Sequence, residues 1–158
     1  MISAVDTNIL LDLLMPDSQF GARSEGALFQ SAQSGALVVS EVVYSELSAQ
    51  FANQESLDRF LVETGIRLER SSTATLHLAG AKWREYAGRR PAFTCVQCGS
   101  PVTVKCGKCG ASPRSRQHVV ADFLIGAHAS IHADRLVTRD RGYYATYFPK
   151  LVIFTGAA

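Results

Sequence analysis

The chain has 158 residues, 47% of them hydrophobic and 19% charged, with a formal net charge of +2. That length and apolar content suit one compact domain able to bury its core without disulfide or metal staples. The longest apolar runs, Ile9 to Met15 and Val119 to Ile125, are short and each is interrupted by a carboxylate, which excludes a helical membrane span.

The first residues, Met-Ile-Ser-Ala-Val-Asp, carry no basic region followed by an apolar stretch and cleavage site, so they read as part of the fold, and the expected compartment is a reducing cytoplasm. Ile2 to Val5 predicts a strand ending at Asp6. Thr7 and Asn8 then offer a cap for a helix through Ile9 to Leu14. A second helical stretch lies around Ser24 to Ser34, Gly35 breaks it, and Ala36 to Val39 is a buried strand. Ser40 caps a helix carrying Tyr44, Glu46 and Leu47. Ser56 to Thr64 reads as helix ended by Gly65, Ile66 to Glu69 as strand, and Ser72 and Thr73 open a helix through Trp83 to about Gly88. Gln117 to His132 is a further helix. Leu136 to Thr138 and Leu151 to Phe154 are two more strands, separated by a helical turn over Gly142 to Tyr147 and by Pro149. Strands alternating with helices predict an α/β fold with a parallel sheet covered on both faces.

From Pro91 to Pro113 neither period persists, and all four cysteines gather there. Residues 91–116 therefore read as a module inserted in a domain spanning 1–158. Cys95, Cys98, Cys106 and Cys109 form two CxxC pairs seven residues apart, each followed by glycine. Such knuckles can present four thiolates to one tetrahedral Zn²⁺, whose filled shell leaves it a structural role. Disulfides and a rubredoxin-like iron are the alternatives. Charge is unevenly spread. Lys82 to His118 holds eight basic residues against Glu85 alone, a local charge of +7, leaving −5 on the rest. The block points to a polyanion partner.

In open α/β sheets ligands collect at the carboxyl ends of strands. Asp6 and Asp140 sit at two such ends, although from spacing alone each reads equally well as a helix cap. Glu46 taken alone reads as a solvated helix residue, and Asp12 and Glu41 as solvated or capping. Asp122 stands out, because it interrupts Val119 to Ile125, where a carboxylate is costly to bury without a partner. Four carboxylates in one cavity call for a hard divalent cation, and with it phosphoryl-transfer chemistry.

Four segments in order, Val5-Asp6-Thr7-Asn8-Ile9-Leu10-Leu11-Asp12, Ser40 to Leu47, Asp122 to Ala129 and Leu136 to Tyr144, resemble the motifs of PIN-domain nucleases, most of all VapC-type toxins, as does Tyr147-Phe148-Pro149-Lys150-Leu151. The resemblance implies a three-layer fold with a parallel sheet of about five strands. It also implies one or two Mg²⁺ or Mn²⁺ ions held by Asp6, Glu46, Asp122 and Asp140, and endonucleolytic cleavage of RNA. A homodimer and an antitoxin whose basic side chain enters the acidic pocket are implied as well. Thr138 would hold a carboxylate or water; His118, one turn before Asp122, reads either as reaching the scissile phosphate or as a packed or capping residue. Lys105, Lys108, Arg114 and Arg116 flank the cysteine module and read as phosphate contacts. The alternatives are an RNA-processing nuclease, a non-catalytic RNA- or protein-binding zinc protein, and a DNA flap nuclease. The insert departs from the plain VapC pattern.

Overall fold

The computed structural model describes residues 1–15, 19–89, 93–95, 97–98, 100–111, 120–140 and 142–156. Strand β1 (Ile2–Val5) leads into helix α1 (Thr7–Leu14), followed by α2 (Gly21–Ser34), β2 (Ala36–Val39), α3 (Glu41–Ser48), α4 (Gln54–Glu63), β3 (Ile66–Leu68) and α5 (Thr73–Arg89). A small antiparallel pair, β4 (Phe93–Thr94) and β5 (Pro101–Val102), precedes α6 (Val120–His132), β6 (Arg135–Val137), α7 (Gly142–Tyr147) and β7 (Ile153–Phe154).

The main sheet has five strands in the order β3-β2-β1-β6-β7, all parallel. Ser3, Ala4 and Val5 of β1 are buried in succession, as are Leu37, Val38 and Val39 of β2, which requires cover on both faces. Right-handed crossovers supply it. The path β1 to β2 to β3 moves one way along the sheet and the path β3 to β6 to β7 moves back, so α1–α4 and α5–α7 fall on opposite faces. Accordingly α2 packs on β1 and β2, and α6 packs on β1 and β6.

Several boundaries differ from the sequence reading. The N-cap position of α1 is Asp6, not Thr7 or Asn8, and its side chain makes no capping bond. Helix α2 begins at Gly21 and α4 at Gln54, where Asn53 Oδ1 accepts from Ser56 N. The last strand is only Ile153–Phe154, because Leu151 N is turned back to Phe148 O. The hairpin at 93–102 has two-residue strands and was not expected at all. Residues 117–119 of the expected sixth helix lie outside the described residues, as do the insert's outer bounds near 91 and 112–116. No helix of the described residues is long and apolar enough to cross a membrane.

Candidate functional site

β1 is flanked by β2 on one side and β6 on the other, and the chain leaves it in one direction and returns to it from the other. The crevice beyond the carboxyl ends of β1 and β6 is thus a topological switch point. Asp6 N donates to Val137 O at 3.0 Å, locking the residue to the end of β6. Its carboxylate is buried, and Oδ2 accepts from Thr138 Oγ1 at 2.6 Å, Asn8 Nδ2 at 2.7 Å and Tyr144 Oη at 3.3 Å. Thr138, fully buried, also accepts from Asn8 Nδ2 at 3.0 Å and from Asp140 N at 3.1 Å. Two segments 132 residues apart are thereby held as one unit.

Burial drives the Asp6 carboxyl up to about 6; the Thr138 bond opposes this, the negative charge of Asp122 adds to it, and bonds from Thr7 N–H and Tyr144 oppose it again. Asp122, half-buried in the first turn of α6, also raises Tyr143 and Tyr144, both already pushed up mainly by burial. Its charge therefore reaches Asp6, Tyr143 and Tyr144 alike. Glu46, half-buried on α3, accepts from Thr7 Oγ1 through Oε2. Asp140 Oδ1 accepts from Tyr143 N at 3.0 Å and so caps α7. The capping reading of Asp140 is realised.

Among the described residues no three His, Cys, Asp or Glu side chains stand close enough to hold one ion as they are. The donor chemistry nevertheless fits a small hard cation. Mg²⁺ keeps several waters and takes only one or two carboxylates directly. A desolvated Asp6 beside the charge of Asp122 is the arrangement such an ion relieves.

Tyr144 carries no role in the sequence reading, and Thr7 and Asn8 only that of a helix cap. Asn8 follows a strand-end aspartate by two positions, and that spacing was the available signal. Asp12 is neither solvated nor a cap. It is buried, with Oδ2 accepting from Ser24 Oγ at 2.6 Å and Arg139 Nε at 2.9 Å. Glu41, half-buried, binds Ser71 N and Oγ.

The four cysteines form no disulfide with one another and fall into two pairs, Cys95 with Cys98 and Cys106 with Cys109, which the structure does not bring together as one four-sulfur group. Cys95 N donates to Ser100 O at 2.9 Å; Cys106 N donates to Ala111 O and Gly110 N to Cys106 O, each at 2.8 Å, with Gly110 at φ 70°. The Ser100 hydroxyl and N–H, with the Cys95 thiol, lower Cys98; the N–H groups of Cys109 and Lys108, with the Cys109 thiol, lower Cys106. Lys105 and Lys108 are exposed beside the second pair. Arg114, Arg116 and His118 lie outside the described residues.

No family model and no curated protein matches the sequence. Solved structures do. VapBC2 from Rickettsia felis bound to a DNA fragment from their promoter is 19% identical over 97% of each chain, with a TM-score of 0.59. VapBC-1 from nontypeable Haemophilus influenzae is 18% identical over 97% of this chain and 96% of that one, TM-score 0.57. VapC20 from Mycobacterium tuberculosis, a toxin cleaving the sarcin–ricin loop, is 12% identical over 95% of this chain and 98% of that one, TM-score 0.52. The chain therefore has the α/β fold of the PIN-domain VapC toxins.

Proposed function

We propose that the protein is an endoribonuclease that hydrolyses RNA phosphodiester bonds with Mg²⁺ or Mn²⁺, as the toxin of a cytoplasmic toxin–antitoxin pair. The observation that carries this is Asp6: a buried carboxylate at the switch point, tethered by Thr138, Asn8 and Tyr144 and opposed by the charge of Asp122. Asp6, Glu46, Asp122 and Asp140 would hold one or two ions. When bound, these supply Lewis-acid charge neutralisation at the scissile phosphate and a more acidic water. The chain's own part is positional. Thr138 and Asn8 fix the rotamer of Asp6, Thr7 fixes Glu46, and the capping bond to Tyr143 N fixes Asp140. Tyr144, kept protonated by burial and by Asp6, remains a donor. Similarity to toxin–antitoxin complexes supports an antitoxin partner for this chain, and a homodimer belongs to the same reading.

In the same reading residues 91–116 are an inserted module in which Cys95, Cys98, Cys106 and Cys109 hold one structural Zn²⁺. Lys105 and Lys108, with Arg114 and Arg116, grip the RNA backbone, and His118 approaches the scissile phosphate. The lowered thiols of Cys98 and Cys106 support it, since thiolates are the ligating form.

Asp122→Asn tests the core of the proposal. The amide keeps the shape but not the charge, so cleavage with Mn²⁺ should fall by at least about 100-fold, comparable to losing a strong metal contact. RNA affinity without metal and the urea midpoint should stay near wild type. Full activity in this variant removes Asp122 from the site.

A further inference from the structure

Beside the acidic crevice lies a cavity of about 250 Å³, lined by Ile9, Phe20, Arg23, Ser24, Arg139 and Thr155. Its two guanidinium groups are held in place. Arg139 Nε bonds Asp12 Oδ2 at 2.9 Å, and its Cζ lies 4.5 Å from the centroid of the Phe20 ring. Arg23 donates from Nε to Thr155 O at 3.3 Å and from Nη2 to Thr155 Oγ1 at 3.5 Å. The cavity is wired to the crevice through one side chain. Asn8 Oδ1 accepts from Arg139 N at 3.2 Å while its Nδ2 donates to Asp6.

Neither arginine is placed well for stability. Arg23 sits in the first turn of α2, where a cation opposes the helix dipole. Asp12 is buried at 8% exposure to bind an Arg139 side chain that is 35% exposed, and such a pair contributes little to folding once its desolvation is counted. What the arrangement does achieve is orientation. An Nε bond uses one of a guanidinium's five donors, so the bond to Asp12 leaves Arg139 further donors while Asp12 and the Phe20 ring position the group. Asp12 offsets one positive charge and Arg23 supplies another.

Immobilised guanidiniums next to an aromatic ring match the chemistry of an unpaired nucleotide, with donors for the phosphate and a planar platform for the base. The volume is below the roughly 300–1,000 Å³ of pockets that enclose drug-sized ligands, which suits one nucleotide and not a folded RNA element. We propose that this cavity is a single-nucleotide subsite for the RNA strand next to the scissile phosphate, Arg23 and Arg139 taking the phosphate and the Arg139–Phe20 pair taking the base. The proposal rests on the ribonuclease reading and adds its specificity determinant.

The test uses Arg23→Gln and Phe20→Leu, both at exposed side chains outside the acidic cluster, and a stem-loop RNA with randomised loop positions. Binding is measured in EDTA and cleavage with Mn²⁺. Each variant should bind the RNA at least about fivefold more weakly, the scale of one stacked base or one phosphate contact. KM should rise with kcat much less changed. Arg23→Gln should reduce the salt slope of binding by roughly one unit, and Phe20→Leu should erase the base preference at one position beside the cut. Wild-type protein that neither binds nor cuts the RNA overturns the ribonuclease reading and the subsite together. Wild-type cutting with unchanged affinity, KM and cut pattern in both variants overturns the subsite alone, including when the cavity proves to take a segment of a protein partner.

Discussion

At neutral pH an ionised Asp6 must sit at a buried strand end beside the charge of Asp122, with Thr138, Asn8 and Tyr144 as its only compensation among the described side chains. Its folded pKa, about 6 against an ordinary 3.8, means that the protonated form suits the folded state better. The stabilising contribution is therefore complete below about pH 4 and is lost as pH rises through 6, at a cost of about 3 kcal/mol by linkage. In metal-free protein, wild type should lose about that much urea stability relative to Asp6→Asn between pH 4 and 7, and millimolar Mg²⁺ should narrow the gap at pH 7. A pH-independent difference between the two proteins would falsify the strained carboxylate. Asp122 was legible in the sequence because a carboxylate inside Val119 to Ile125 has no bland explanation. Asp12, Tyr144 and Arg139 were not, since each acquires its role from a partner that the fold brings from elsewhere, and Asp12 was misread as solvated for that reason.

Among the elements, α6 carries a tight packing constraint of side chain against backbone. A Cβ on Gly126 would come within 2.4 Å of Phe148 Cε2, and Phe148 is itself buried against Tyr144, with ring centroids 6.4 Å apart. Gly126→Ala gains about 1 kcal/mol of helix propensity but overpacks a filled site, which costs about 1–3 kcal/mol. The net expectation is destabilisation by about 1 kcal/mol, read from the urea midpoint, and recovery when Phe148→Leu is added. A more stable alanine variant would mean that the ring moves aside freely. Edge strand β3 showed as an alternation with Arg67 exposed, whereas the central strands β1 and β2 were readable as apolar runs because both faces are covered, so their inward and outward positions do not differ. The 93–102 hairpin was not, because two-residue strands are too short to show a period, and the last strand was overextended because Pro149 sets a turn reaching Leu151.

For the whole molecule the question is whether two metals of different chemistry share one chain. Metal analysis of protein refolded with zinc should give about one equivalent, held by sulfur, alongside Mg²⁺ or Mn²⁺ held by oxygen. Stripping the zinc with a thiol-competing chelator should expose four thiols to alkylation, Cys98 and Cys106 reacting first because their thiols lie below the ordinary value. Mn²⁺ binding at the carboxylates should not change. A chain that takes up no zinc at micromolar concentration ends the structural-zinc reading and leaves the acidic crevice untouched. That crevice has one more consequence, in time instead of space. The bond between Asp6 and Thr138 joins positions 132 residues apart, and the central strand β1 lacks its β6 neighbour until Arg135–Val137 exist. At ~5–20 residues per second a ribosome needs on the order of ten seconds to travel that distance. Asp6 is therefore made 132 residues before its Thr138 partner, and the crevice cannot assemble, nor the activity proposed for it begin, until β6 has been synthesised.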